Sequence, residues 1–176
     1  MAILPILTIP NEILKKKALP VTKVTDEDRQ FLNDMLETMY AGDGCGLAAP
    51  QVGVLKRMIV IDLTWYKEGE KPTPLKLINP QIIWASEELI PYDAGCLSIP
   101  DQHGEVYRPA QLEVEYWDEN GKSQRLKTEG LFAHCIHHEI DHLNGVLYID
   151  HLSPLKRNII VRKVLKAKKQ EQPQPV

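Results

Sequence analysis

The five residues His138-Glu139-Ile140-Asp141-His142 constrain this chain more than any other stretch. Histidines at i and i+4 lie one turn apart on the same face of an α-helix, close enough for both imidazoles to reach one ion. On a strand the same spacing would hold them about 13 Å apart. Two histidines at this spacing alone are as readily surface or core residues. The carboxylate of Glu139 tips the reading toward metal, because it stands where it can take a proton from a metal-bound water. A hydrolytic centre of this kind needs a third protein ligand and an open position. A downstream Glu of the thermolysin kind or a third His of the metzincin kind is not convincingly present. His151 is near in sequence, but a short apolar strand expected over 146–149 and a turn separate it from the helix.

That helix is expected to run from Gly130 to about Leu143, with Asn144-Gly145 as its stop. An earlier helix starts at Thr25, an N-cap followed by Asp26, Glu27 and Asp28, and ends at Gly42 and Gly44. Its apolar residues Phe31, Leu32, Met35, Leu36, Met39 and Tyr40 recur at helical spacing. Strands are expected over 57–63 and 75–83, the second interrupted by Asn79-Pro80, and over 111–117, where Leu112, Val114 and Tyr116 alternate. Asp118-Glu119-Asn120-Gly121 then signals a hairpin, with a return strand over 123–128. Ser153-Pro154 opens a last helix reaching about residue 169. Strands grouped apart from helices read as an α+β fold, not as an alternating parallel sheet.

At 176 residues the chain fits one domain over 1–169, and 43% hydrophobic against 26% charged residues suits a soluble protein with a real core. The polar, Pro-rich stretch 170–176 is expected to be disordered. A net charge of −3 argues against a whole-molecule nucleic-acid binder, so DNA is not an expected partner. No apolar run approaches the roughly 20 residues that cross a bilayer, so no membrane role is expected. The N-terminus lacks the features of a secretory signal or transit peptide, which makes the cytoplasm the expected compartment. Cys45, Cys96 and Cys135 are too few for a disulfide framework and fit a reducing compartment, as ligands or core residues.

Two further motifs stand in order before the histidine helix: Gly44-Cys45-Gly46-Leu47-Ala48-Ala49-Pro50-Gln51 and Gly95-Cys96-Leu97-Ser98. Together the three motifs resemble the peptide deformylase family, and the likeness extends from Leu4-Pro5-Ile6 to Leu152-Ser153-Pro154-Leu155-Lys156. The resemblance implies antiparallel or mixed sheets around a central helix that carries the histidine motif, followed by a C-terminal helix. It implies removal of the formyl group from the formylmethionine of nascent proteins. It makes Cys96, His138 and His142 the metal ligands, although Cys96 alone reads as a small buried residue. Glu139 becomes the general base and acid, and the Gln51 side chain and the Leu97 N–H become oxyanion donors. Gly44, Cys45, Gly46, His134 and Cys135 would line the substrate site, with the peptide added as a strand beside Gly44–Gly46. Iron(II) is the expected metal, with nickel, cobalt or zinc as possible occupants of the purified protein.

Three positions depart from the family pattern. Ala94 stands where Glu usually precedes the Gly-Cys-Leu-Ser motif, His137 where Gln is usual, and His134 where an apolar residue is usual. Asp93 could stand in for the missing carboxylate, and His134 could make the pocket for the first side chain more polar. These departures motivate an alternative, a catalytically weak relative that binds formylated peptides. Finally, 154–169 carries Lys156, Arg157, Arg162, Lys163, Lys166, Lys168 and Lys169 and no acid. By itself this is a solvated amphipathic helix; by resemblance it is a contact with ribosomal RNA.

Overall fold

A computed structural model describes residues 2–65 and 67–171. The helices are α1 (Asp26–Ala41), α2 (Gly130–Leu143) and α3 (Pro154–Glu171), and the strands are β1 (Gly46–Ala48), β2 (Met58–Ile61), β3 (Leu75–Ala85), β4 (Leu89–Cys96), β5 (Ile99–Pro109), β6 (Gln111–Trp117) and β7 (Ser123–Glu129). They make a five-stranded sheet in the order β1-β2-β3-β6-β7 and a separate β4-β5 hairpin, with every strand pair antiparallel. This is the α+β architecture that the sequence implies.

α1 begins where its cap predicts. The Asp28 N–H donates to Thr25 Oγ1 at 3.2 Å and the Thr25 N–H donates back to the Asp28 carboxylate at 3.0 Å. This reciprocal pair satisfies two donors that the helix start leaves without partners. Leu32, Met35, Leu36 and Met39 pack on Leu47, Met58, Val60 and Ile78 of one sheet face. The opposite face offers Ile59, Ile61, Leu77, Leu112 and Val114 to Ala133, Ile136, Ile140 and Leu143 of α2. β2 is therefore covered on both sides, which is why its four residues are all apolar instead of alternating.

The break at Asn79-Pro80 is a bulge inside β3. Asn79 adopts φ 51°, and its side-chain amide both accepts from the Val21 N–H and donates to the Val21 carbonyl, each at 2.8 Å. Those bonds tie the chain before α1 to the sheet without a ladder partner.

The β4-β5 hairpin has no counterpart among the expected strands. It carries Pro91, Pro100, Gly104 and Pro109, and its alternation is weak. Ala94, Ile99 and Val106 pack with Leu147, Tyr148, Ile149 and with Ile160 and Val164 of α3. The expected strand over 146–149 is not formed. Those residues lead into a 3₁₀ turn, Tyr148–His151, in which the Leu147 N–H donates to the Asp150 carboxylate at 2.9 Å. The apolar run there reflects burial between hairpin and helix, not strand pairing. α3 continues to Glu171, so the first two residues of the expected tail are helical, and 172–176 lie outside the described residues. Among the described residues, no helix is long and apolar enough to cross a membrane.

Candidate metal centre

α2 lies between the large sheet and the hairpin. Its apolar face enters the sheet core, and the face bearing His138 and His142 meets the hairpin tip, where Cys96 pairs with Ile99. Cys96 Sγ lies 3.3 Å from His142 Nε2, which lies 3.2 Å from His138 Nε2. One ligand atom from each residue falls within 4.8 Å of the others, the arrangement of a three-ligand metal site. The donor set fits a divalent ion of borderline softness. Burial drives His142 down to about 4 and His138 well below its usual value, so both imidazoles keep their lone pairs at neutral pH. Burial, helped by the Glu139 charge, pushes the Cys96 thiol up to about 12, a proton that a bound cation displaces.

Glu139 sits beside these ligands, with Oε1 3.9 Å from His138 Nε2 and with Oε2 buried and unpartnered. Burial raises it to about 8, against a smaller lowering by Arg108. A buried carboxyl with an unused oxygen, poised near neutrality, is suited to accept and return a proton. Its place depends on Gly46, because a Cβ there would come 2.6 Å from Glu139 Oε1. Gly44 likewise makes room for Leu97, whose Cδ1 would lie 2.8 Å from an added Cβ. Both glycines thus fit the loop around residues of the site.

Gln51 is fully oriented by its neighbours. Its Oε1 accepts from the Ala48 N–H at 2.9 Å, and its Nε2 donates to Ser98 Oγ at 3.1 Å and lies 3.5 Å from Cys96 Sγ. That fixes which amide end faces the metal ligands. Gln51, Cys96, Leu97, His138 and Glu139 line a single cleft of 420 Å³ together with Gly44, Cys45, Gly46, His134 and Cys135. His142, 1% exposed, lies behind it. Every site residue expected from the sequence is therefore in or directly behind one cavity. Burial pushes the Cys135 thiol up to about 12, which keeps it protonated.

The positions that depart from the family pattern have distinct surroundings. Ala94 is buried in the hairpin core, and Asp93, on the opposite strand face, points to solvent 3.6 Å from His103. Asp93 does not replace a carboxylate on the inner face. His137 has its Nε2 4.0 Å from the Asp141 carboxylate, away from the ligand cluster. His134 is buried against Tyr92, with ring centroids 4.9 Å apart.

Two residues escaped the sequence reading. Ser98 is completely buried and takes the Gln51 bond. Arg108, 2% exposed, donates from Nη1 to Asp141 at 2.8 Å, and Asp141 also bonds His151 at 2.9 Å. This group clamps α2 to β5 between the two histidine ligands. The signal was an arginine on the inward register of a strand, flanked by Val106 and Ala110.

A thiol on a hairpin tip, two histidines on a helix and a buried carboxylate between them define a metal-centred hydrolase. The chain belongs to the polypeptide deformylase family, whose sequence model matches residues 3–158. It is 50% identical over 169 residues to the peptide deformylase of Rhizobium meliloti (strain 1021), covering 96% of each chain. It is 52% identical over 166 residues to that of Phenylobacterium zucineum (strain HLK1), covering 94% of this chain and 97% of the relative. The crystal structure of peptide deformylase from Ehrlichia chaffeensis superposes with a TM-score of 0.92 at 38% identity, covering 97% of this chain and 99% of that one. Its complex with actinonin gives a TM-score of 0.90 at 39% identity, covering 98% and 100%.

Proposed function

We propose that this protein hydrolyses the N-terminal formyl group of formylmethionyl nascent chains, releasing formate and a free amine. The observation that carries this reading is the buried Glu139 carboxyl beside the Cys96-His138-His142 cluster, at the end of a cleft bordered by β1. A divalent ion on those three ligands would supply Lewis acidity to the formyl carbonyl and lower the pKa of the attacking water. Glu139 accepts the proton of that water and returns it to the leaving nitrogen. The Gln51 amide and the Leu97 N–H donate to the oxyanion; losing one such donor costs about 10²–10³ in turnover. β1 is an edge strand, and its unpaired side offers main-chain groups to an extended peptide.

Iron(II) is the working metal in this reading, with nickel or cobalt as substitutes and zinc as a weaker one. The place of action is the cytoplasm, where formylated chains emerge, and α3 is the contact with the ribosome. The binding-only alternative is disfavoured, because the base, the ligands and the oxyanion donors all converge on one site.

The test is formate release from a formyl-Met-Ala peptide by anaerobically prepared protein loaded with iron(II) or nickel. Release that requires both metal and Glu139, judged against Glu139→Ala, is expected. No release from protein carrying one metal per chain would reject the assignment.

A further inference from the structure

The stretch Gly44–Gly46 borders the cleft and leads into β1, the edge strand that the peptide would meet. Two glycines in three residues leave its backbone few steric limits, so contacts from elsewhere must hold it in one conformation. The segment after β2 supplies them. The Asp62 N–H donates to the Cys45 carbonyl at 2.9 Å, and the Trp65 indole N–H donates to the Gly44 carbonyl at 3.0 Å. The first is a main-chain bond that carries the β1-β2 pairing one step further. The second comes from a side chain and fixes a plane. A peptide unit is rigid, so holding the Gly44 carbonyl also sets the direction of the Cys45 N–H.

Trp65 is itself held. Its ring meets Tyr40 of α1 edge to face, with centroids 5.3 Å apart and planes at 61°. The Tyr40 hydroxyl donates to the Asp62 carboxylate at 2.7 Å. Asp62, 1% exposed, also accepts from the N–H and the hydroxyl of Thr64, each at 2.8 Å. An Asp two residues before a Thr thus turns the chain after β2 and delivers the indole to Gly44.

We infer that Trp65 is a positioning residue: by pinning the Gly44–Cys45 peptide it keeps the approach to β1 in the conformation that receives the peptide main chain beyond the formylated residue. This rests on the deformylase reading and adds to it a residue outside the proposed catalytic group. The indole bond matters most for a substrate that lies along β1, and least for one that ends at its first residue.

The experiment compares formyl-Met-Ala-Ser with formyl-Met amide on the metal-loaded full chain and on Trp65→Phe, which keeps a ring against Tyr40 and removes the N–H. KM for the tripeptide is expected to rise about three- to tenfold, the effect of one neutral hydrogen bond, with kcat within about twofold. The change in kcat/KM for the amide should stay under about twofold. An unchanged tripeptide KM, or an equal loss on both substrates, would overturn the inference, the latter by reducing Trp65 to general support of the fold. Should Trp65→Phe not fold, benzothienylalanine placed at position 65 makes the same test, since it replaces the N–H by sulfur at nearly the same shape. Failure of the unaltered protein to release formate from the tripeptide would instead overturn the deformylase reading itself, and this inference with it.

Discussion

Gly46 and Glu139 share one space: a Cβ on the glycine would stand 2.6 Å from the carboxylate oxygen of the glutamate. The proposed base occupies the volume that a side chain on β1 would fill. Strand and helix are therefore matched by an absence, and the smallest enlargement of the strand must move the carboxylate. Gly46→Ala is expected to lower kcat by about 10²-fold or more, within the range of a lost general base. Metal content should stay at the level of the unaltered protein, because the ligands lie elsewhere. Metal analysis alongside steady-state kinetics distinguishes this from collapse of the centre.

The metal-free protein is expected to be most stable near pH 6.5, falling away on both sides. Glu139, raised from 4.5 to about 8, contributes stability below its unfolded value that is lost as pH rises through 8. His134 and His142, lowered to about 4, and His138, held well below its usual value by burial, contribute stability above 6.5 that is lost as pH falls. Between 4.5 and 6.5 the three histidines oppose one carboxyl and outweigh it. Thermal melts of chelator-treated protein across pH 5–9 would trace both arms. Glu139→Gln should remove the alkaline arm alone, and metal loading should shrink it, since a nearby cation favours the carboxylate. An unchanged alkaline arm in Glu139→Gln would contradict the assignment.

Arg108→Met tests the clamp between β5 and α2. Removing one member of a buried ion pair leaves the Asp141 carboxylate with His151 and the more distant His137, at a cost on the order of 3 kcal/mol. Urea unfolding of the metal-free protein should register that loss. Metal affinity should fall as well, because Asp141 adjoins the ligand His142 on the helix that Arg108 holds.

The two roles of α3 can be separated. Ile160 and Val164 are buried against the hairpin, whereas Lys163 and Lys166 are exposed. Reversing both lysines to Glu is expected to abolish salt-sensitive co-sedimentation with ribosomes while leaving the rate on a free tripeptide within about twofold. Co-sedimentation that survives the reversal would remove α3 as the contact.

Local chemistry decided which parts of this molecule were legible in the sequence. The Thr25 cap, the Asp118–Gly121 turn and the histidine helix all rest on residues within a few positions of each other, and each lies where its local signal puts it. The β4-β5 hairpin was not legible, because its order comes from packing on Tyr148 and α3, far along the chain. For the same reason 146–149 reads as a strand: local pattern reports that Leu147 and Ile149 are buried, not what buries them. Cys96 needed its neighbouring motifs, since a lone thiol gives no hint of two histidines 42 and 46 positions away. His134 was visible as an oddity, but its unpartnered nitrogen required coordinates.

β1 is only three residues long, Gly46–Ala48, and it is the edge of its sheet. On the proposed reading, so short a border would grip the opening residues of a formylated chain and little beyond them. An enzyme built this way cannot read which protein it is processing. It can read only that a protein has begun, and that brevity is what would let one catalyst attend to every start in a proteome.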